Sequence, residues 1–94
     1  MSYAVFIANR VVDRLKRLPF EVAEHILDQL EILLEDPVVR GERSTPPWLP
    51  GQIFTCPVYT HRGCRYTAVI RFHYSDTPDE NVIRVVSIPV DIRS

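Results

Sequence analysis

An alternation of side-chain character between residues 65 and 74 constrains the fold of this 94-residue chain more than any other feature. Successive side chains of a β-strand point to opposite faces of the sheet, so a period of two predicts a strand with one core face and one open face. The predicted core face carries the even positions Tyr66, Ala68, Ile70, Phe72 and Tyr74. The predicted open face carries the odd positions Arg65, Thr67, Val69, Arg71 and His73.

A second strand precedes this one and is expected to pair with it as a hairpin. Its core-facing residues are predicted to be Phe54, Cys56 and Val58, which leaves Thr55, Pro57 and Tyr59 on the open side. The core faces of the two strands agree only if the numbers of paired residues add to an even number. A three-residue loop, His61-Arg62-Gly63, meets this condition, with Gly63 supplying the positive φ that such a turn needs.

This register makes specific predictions about cross-strand neighbours. Tyr59 is expected directly opposite Arg65 on the open face. Cys56 is expected opposite Ala68, and Cys64 opposite Thr60. Because the two cysteines are then not cross-strand partners, we expect both thiols to be free.

The N-terminal half of the chain reads as a strand followed by a helical hairpin. Residues 2–8 are apolar at both odd and even positions, which is typical of a strand buried on both faces. Asn9 can cap a short helix whose apolar stripe is Val12, Leu15 and Leu18, and Pro19 ends it. A second helix starts at Phe20. Its apolar stripe is Ala23, Ile26, Leu27, Leu30, Leu33 and Leu34.

The rest of the chain is predicted to contain one long loop and one further strand. Residues 36–52 hold four prolines and two glycines, a composition that helices and central strands exclude. Residues 82–88 are rich in β-branched side chains and predict a final strand. The predicted fold class is therefore α+β: an N-terminal strand, a helical hairpin and a three-stranded antiparallel meander, with the helices on one face of the sheet.

Composition limits the classes of function that remain. The length suits a single domain spanning residues 1–94, and a net charge of −1 argues against a protein that binds nucleic acid through its overall charge. No apolar run is long enough to span a membrane, and the N-terminus lacks the features of a leader, so we expect a cytoplasmic protein with no membrane partner. His25, His61 and His73 share no metal-ligand spacing with the cysteines, and we expect no metal and no cofactor.

Several short segments, taken in order, resemble the RelE/ParE superfamily of bacterial toxins. The segments are the run Tyr3-Ala-Val-Phe-Ile-Ala-Asn9, the helix end Leu15 to Pro19, the helix exit Leu33-Leu34-Glu35-Asp36-Pro37, Gly41, and Pro50-Gly51-x-x-Phe54 before the meander. The resemblance covers nearly the whole chain. It implies an uncovered sheet face, a cognate antitoxin that neutralises the toxin, and one of two activities: ribosome-dependent mRNA cleavage, or inhibition of DNA gyrase.

Within that resemblance, the leading hypothesis is an endoribonuclease that acts on mRNA at the ribosome. Its catalytic candidates are Arg65, His73 and Tyr59, because RNA cleavage needs a cation near phosphorus and groups that accept and donate protons. Further arginines that can bind RNA phosphates are Arg71, Arg62 and Arg93. The family position of the arginine matches Arg65, or Thr67 after a shift of two residues.

Two departures from the family pattern keep other functions open. The first meander strand has Thr55 and Pro57 where the family commonly carries basic residues, and the C-terminus offers only Asp91 and Arg93 as polar candidates. The main alternative is a non-catalytic binding module of the same fold, which inhibits gyrase or only binds its antitoxin. An unrelated small α+β interaction protein is the third hypothesis, and a homodimer stays open.

Overall fold

The computed structural model describes residues 4–35, 42–43, 51–77 and 80–94. The helices are α1 (Asn9–Lys16) and α2 (Phe20–Glu35). The strands are β1 (Ala4–Ile7), β2 (Glu42–Arg43), β3 (Gln52–Thr55), β4 (Tyr59–His61), β5 (Cys64–Thr77), β6 (Glu80–Ser87) and β7 (Val90–Arg93). The α+β class, the helical hairpin and the antiparallel meander are confirmed.

The long strand β5 organises the sheet. Its first half pairs with β4 on one side and β7 on the other, and its second half pairs with β3 and β6. The outer strand β1 runs parallel to β6, and β2 pairs antiparallel with β3. The strand β7 is an addition to the predicted fold, and β2 and the start of β3 lie within the predicted loop 36–52. Residues 36–41 and 44–50 of that loop lie outside the described residues.

The core lies between the helices and the even face of β5. Ala68, Ile70 and Phe72 are buried there, as predicted, together with residues of both helices and of β6. The helix contribution is Val11, Leu15, Val22, Ile26, Leu30 and Leu33. The predicted burial of Leu27 is wrong, since 44% of this residue is exposed. One residue along a helix turns the side chain by about 100°, and this moves Leu27 from the sheet toward the groove between α1 and α2.

Three further sequence predictions about burial are corrected. β1 is not buried on both faces: Val5 and Ile7 pack against the core, whereas Phe6 is 59% exposed. In α1, Val11 takes the buried position that the predicted stripe gave to Val12, and no side chain caps the helix, which begins after Ala8. Val58, predicted to face the core, is also exposed. The errors at Phe6 and Val58 place inside the protein an apolar residue that the tertiary packing leaves at the surface.

The β4–β5 hairpin has a different register from the one predicted. Arg62 and Gly63 form a two-residue turn, and both have positive φ, 49° and 79°. This is the conformation of a type I′ turn, whose twist matches that of the strands. The paired residues are Tyr59 with Tyr66, Thr60 with Arg65, and His61 with Cys64. The predictions that Tyr59 lies opposite Arg65 and Cys64 opposite Thr60 are therefore wrong.

The even-sum rule holds instead for β3, where Phe54 pairs with Ile70 and Thr55 with Val69. The two registers differ by one residue. The irregular segment between β3 and β4 absorbs this offset, and it contains Pro57, which has no backbone N–H to donate to a ladder. A shift of one residue in register moves every side chain of a strand to the other face. Tyr59 consequently lies on the helix side of the sheet.

The cysteines are both free thiols, as expected. The backbone N–H of Cys56 donates to the carbonyl of Ala68 at 2.9 Å, which confirms that predicted pairing. Burial raises the pKa of the Cys56 thiol to about 11, because the thiolate would lose its hydration. Cys64 is half-buried in a pocket beside His61.

We expect the two thiols to react at very different rates with a water-soluble disulfide reagent. The thiolate is the reactive species, and at pH 8 a thiol with a pKa of about 11 is almost wholly protonated. One thiol, Cys64, is expected to react in the native protein, and the second only after unfolding. The Cys64→Ser variant should abolish the native reaction, whereas Cys56→Ser should leave it intact. Equal rates for both thiols in the folded protein would contradict the burial of Cys56.

Neither helix of the described chain is long and apolar enough to cross a membrane.

Candidate nucleic-acid interface

The open face of the sheet brings two arginines together near the start of β5. Arg65 pairs with Thr60 of β4 on one side and with Arg93 of β7 on the other. Both arginines are exposed. Paired residues of neighbouring strands have Cβ atoms about 4.5–5.5 Å apart, so two guanidinium groups share this part of the face. Such an arrangement suits an anion with several oxygens, since each guanidinium offers a planar fork of N–H donors.

One carboxylate lies beside this arginine pair. Asp91 of β7 pairs with Thr67 of β5, one row along the same face, and its Oδ2 accepts a hydrogen bond from Arg93 Nε at 2.9 Å. Both partners are largely exposed, so the ion pair contributes little to stability. Its effect is to orient Arg93 and to place a proton acceptor within one row of Arg65. We call Arg65, Asp91 and Arg93 the arginine pair site.

A second group of basic residues lies at the other end of β5. His73 pairs with Arg84 of β6, and Arg71 stands two residues before His73 on the same face. Arg84 in turn pairs with Phe6 of β1. Eight residues separate Arg65 from His73, which is about 26 Å along a strand. The predicted catalytic pair Arg65 and His73 therefore cannot contact the same phosphate group.

Tyr59, the third predicted catalytic residue, is on the opposite side of the sheet. Its ring stacks on His25 of α2, with ring centroids 4.9 Å apart and planes inclined by 21°. His25 Nε2 lies 3.0 Å from the Pro57 carbonyl oxygen, an acceptor, so Nε2 donates. His61, next on this side, lies 3.8 Å from a Glu21 carboxylate oxygen. These contacts join the hairpin to α2 and explain the position of Tyr59 by packing.

Arg62, the remaining candidate for RNA binding, is exposed at the turn and lines a pocket on the α2 side with Phe20 and Glu21. The structure thus groups Arg65 with Arg93, and Arg71 with His73, and it separates Arg62 and Tyr59 from both groups.

The sequence analysis did not identify Phe6, Arg84 or the pairing of Arg65 with Arg93. An alternating pattern in residues 90–93 was the available signal, but four residues are too few to assign a strand.

The charge distribution explains how a chain with a net charge of −1 can present a basic surface. The open face carries Arg65, Arg71, Arg84 and Arg93, with Asp91 as the carboxylate seen among the described side chains. α2 carries five acidic residues and no lysine or arginine. α2 is therefore acidic while the described part of the open face is basic, and the net charge of the chain describes neither of them.

Gly51 holds a position next to His73 that a larger residue would disturb. Its φ is +102°, and a Cβ there would lie 2.9 Å from both His73 Cε1 and the Phe72 carbonyl oxygen. The carbonyl belongs to the β5 backbone and cannot move without breaking the ladder. Glycine is therefore required at this position by both backbone conformation and space.

We expect Gly51→Ala to lower the free energy of unfolding by about 1–3 kcal/mol, since a residue with a side chain is strained at this φ and meets backbone atoms. Chemical denaturation measures the change. Gly63→Ala is the matched control, because Gly63 also has positive φ but nothing lies within 4 Å of its Cβ position. The smaller loss is expected at Gly63. If Gly51→Ala is as stable as the wild type, the close approach to His73 is incorrect.

A helical hairpin on one face of an antiparallel meander, with a parallel N-terminal strand at the edge, defines a RelE-like α+β fold. The structure of a double arginine-to-alanine mutant of the E. coli toxin RelE, in its free state, is similar to this chain with a TM-score of 0.59. The two sequences are 21% identical, and the match covers 94% of this chain and 82% of that one. No protein-family model matches the chain, and neither does any curated protein.

Proposed function

We propose that this protein is the toxin of a toxin–antitoxin pair and inhibits translation by cleaving mRNA on the ribosome. The observation that carries the proposal is the pairing of Arg65 with Arg93, both exposed, on a basic face of a RelE-like sheet. The RelE-like fold supports the class of protein. The arginines support a phosphate ligand, since a guanidinium binds phosphate oxygens through two parallel hydrogen bonds.

The chemistry proposed for the arginine pair site is attack of an RNA 2′-hydroxyl on the adjacent phosphorus. The bond from phosphorus to the 5′-oxygen breaks, a 2′,3′-cyclic phosphate forms, and water protonates the departing 5′-oxygen. Arg65 stabilises the negative charge that develops on the phosphoryl oxygens, and Arg93 binds the same phosphate. Asp91 accepts the proton of the 2′-hydroxyl, since its carboxylate lies one row from Arg65. His73 lies about 26 Å away along the strand, and we assign it with Arg71 to binding of the RNA chain.

Induced expression of the wild-type protein tests this proposal. We expect growth to slow while mRNA is cut within translated regions, and purified translating ribosomes with the protein should yield the same fragments. Asp91→Asn should reduce cleavage while leaving RNA binding in place, because the amide no longer accepts a proton. Normal growth with intact mRNA, despite accumulation of folded protein, would overturn the proposal.

A non-catalytic binding module of the same fold is the second candidate function. It is favoured by one observation: Tyr59 and His73, two groups that could transfer protons, both lie away from Arg65. In this case the open face binds a protein such as gyrase. Growth arrest with intact mRNA and inhibited DNA supercoiling by purified gyrase would identify this function and exclude the nuclease.

The proposed partners follow from the proposed function. A toxin of this class acts in the cytoplasm, where ribosomes are, and a cognate antitoxin neutralises it. Co-expression with a short neighbouring reading frame should restore growth, and the two proteins should purify as one complex. Failure of every neighbouring reading frame to protect the cells would remove the toxin–antitoxin context.

A further inference from the structure

Phe6 is an aromatic residue that the fold leaves at the surface. It is 59% exposed on the edge strand β1, whereas its neighbours Val5 and Ile7 pack against the core. Exposure of this ring forgoes the burial that usually stabilises an aromatic side chain. Its side chain lies on the open face of the sheet, the same face as the arginine pair site, because Phe6 pairs with Arg84 and Arg84 pairs with His73 of β5.

The ring of Phe6 has a basic neighbour in contact with it. The guanidinium carbon of Arg84 lies 5.9 Å from the ring centroid, within the range of a cation–π interaction. His73 of β5 pairs with Arg84 on the side away from Phe6, and Arg71 lies two residues before His73 on the same face of β5. An aromatic ring beside several basic side chains is the combination that single-stranded nucleic acids require, since the bases stack on rings while the phosphates meet cations.

We propose that Phe6, supported by Arg84, is a stacking site for an unpaired base of single-stranded RNA. The choice of RNA rests on the proposed function. The RNA chain would run along β5 from the arginine pair site, where its phosphate is held, to Phe6 at the far edge of the sheet. Arg71 and His73 lie between these two points and contact the backbone of the strand.

Stacking on Phe6 makes this site specific for single strands. A base inside an A-form duplex is stacked on both sides and its ring face is covered, so Phe6 can reach only an unstacked base. Phe20 is an exposed ring on the helix side, where it lines a pocket with Glu21 and Arg62, and it lies on the opposite side of the sheet from the arginine pair site.

Fluorescence anisotropy of labelled oligoribonucleotides with the purified protein tests the proposal. We expect Phe6→Ala to weaken binding of a single-stranded RNA by about 5- to 150-fold, the range found when one base loses its aromatic partner. Phe20→Ala is the matched control, because it removes a ring that is 76% exposed on the helix side. It should leave the affinity unchanged. Circular dichroism verifies that both variants are folded.

An RNA of the same length that lacks its bases separates stacking from charge. It keeps every phosphate, so wild-type protein and Phe6→Ala should bind it with equal affinity. If Phe6→Ala weakens binding of this strand as much as of normal RNA, or if it weakens neither, the stacking site is refuted. Equal affinity of the wild type for a duplex and a single strand would refute it as well.

These outcomes are distinct from those that test the nuclease. RNA binding that depends on Phe6, with no mRNA cleavage by the wild type, would support the stacking site and reject the proposed activity. Cleavage of mRNA by the wild type, together with unchanged RNA binding by Phe6→Ala, would support the nuclease activity and reject the stacking site.

Discussion

Replacing Arg65 with alanine is expected to slow the proposed mRNA cleavage by a factor of about 10²–10³, which is the usual loss when one group that stabilises the transition-state charge is removed. The effect is expected on the rate at saturating ribosome concentration, because the charge on the phosphoryl oxygens is greatest in the transition state. Growth arrest on induction should disappear. Cleavage of a defined mRNA on purified ribosomes is the measurement.

The stability of this variant should match that of the wild type, because Arg65 is exposed and is not part of the core. Arg14→Ala is the matched control for the loss of one positive charge, since Arg14 is exposed on α1 and lies away from the open face. It should retain full activity. An equal loss in both variants would show that overall charge, and not the arginine pair site, determines the activity.

Replacing Phe72 with alanine is expected to lower the free energy of unfolding by about 3–5 kcal/mol, the usual cost of removing a buried aromatic ring. Phe72 is 1% exposed and lies at the centre of the core between β5 and the helices. A loss of this size is comparable to the total stability of many small domains. Denaturant titration of the purified protein measures it.

Phe20→Ala provides the control for this prediction, because the Phe20 ring is 76% exposed and most of its surface already contacts water. Its effect should stay within about 0.5 kcal/mol, as for most surface substitutions. A small loss for Phe72→Ala would mean that the even face of β5 does not pack on the helices, and the predicted orientation of the strand would then be incorrect.

The orientation of β5 was predictable because it depends on a property that sequence shows directly. Ala68, Ile70 and Phe72 repeat every second position, and only a strand puts such residues on one face. Arg65 follows from the same pattern, since its odd number places it on the open side. The pairing of Arg65 with Arg93 was not predictable in this way, because β7 is four residues long and its alternation is too short to interpret.

Tyr59 illustrates why the sequence did not predict which of the candidate side chains the fold brings together. Its face depends on the register between β4 and β5, and the even-sum rule assumed that the strand from residue 53 to 60 is regular. The irregular segment at Cys56, Pro57 and Val58 shifts the register by one residue. A short sequence does not show such an offset, because either hairpin turn, of two residues or of three, is compatible with Gly63.

The sequence alone therefore determined the fold class, the location of the helices and the two faces of β5, because each depends on a local period of side-chain hydrophobicity. Tertiary structure decided which strands become neighbours of β5, and with them the arginine pair site, the position of Tyr59 beside His25 and the exposure of Phe6. Those features depend on backbone hydrogen bonds between segments distant in sequence. Such bonds join backbone N–H and C=O groups. Every residue carries the C=O and every residue except proline carries the N–H, so side-chain identity does not specify which groups pair.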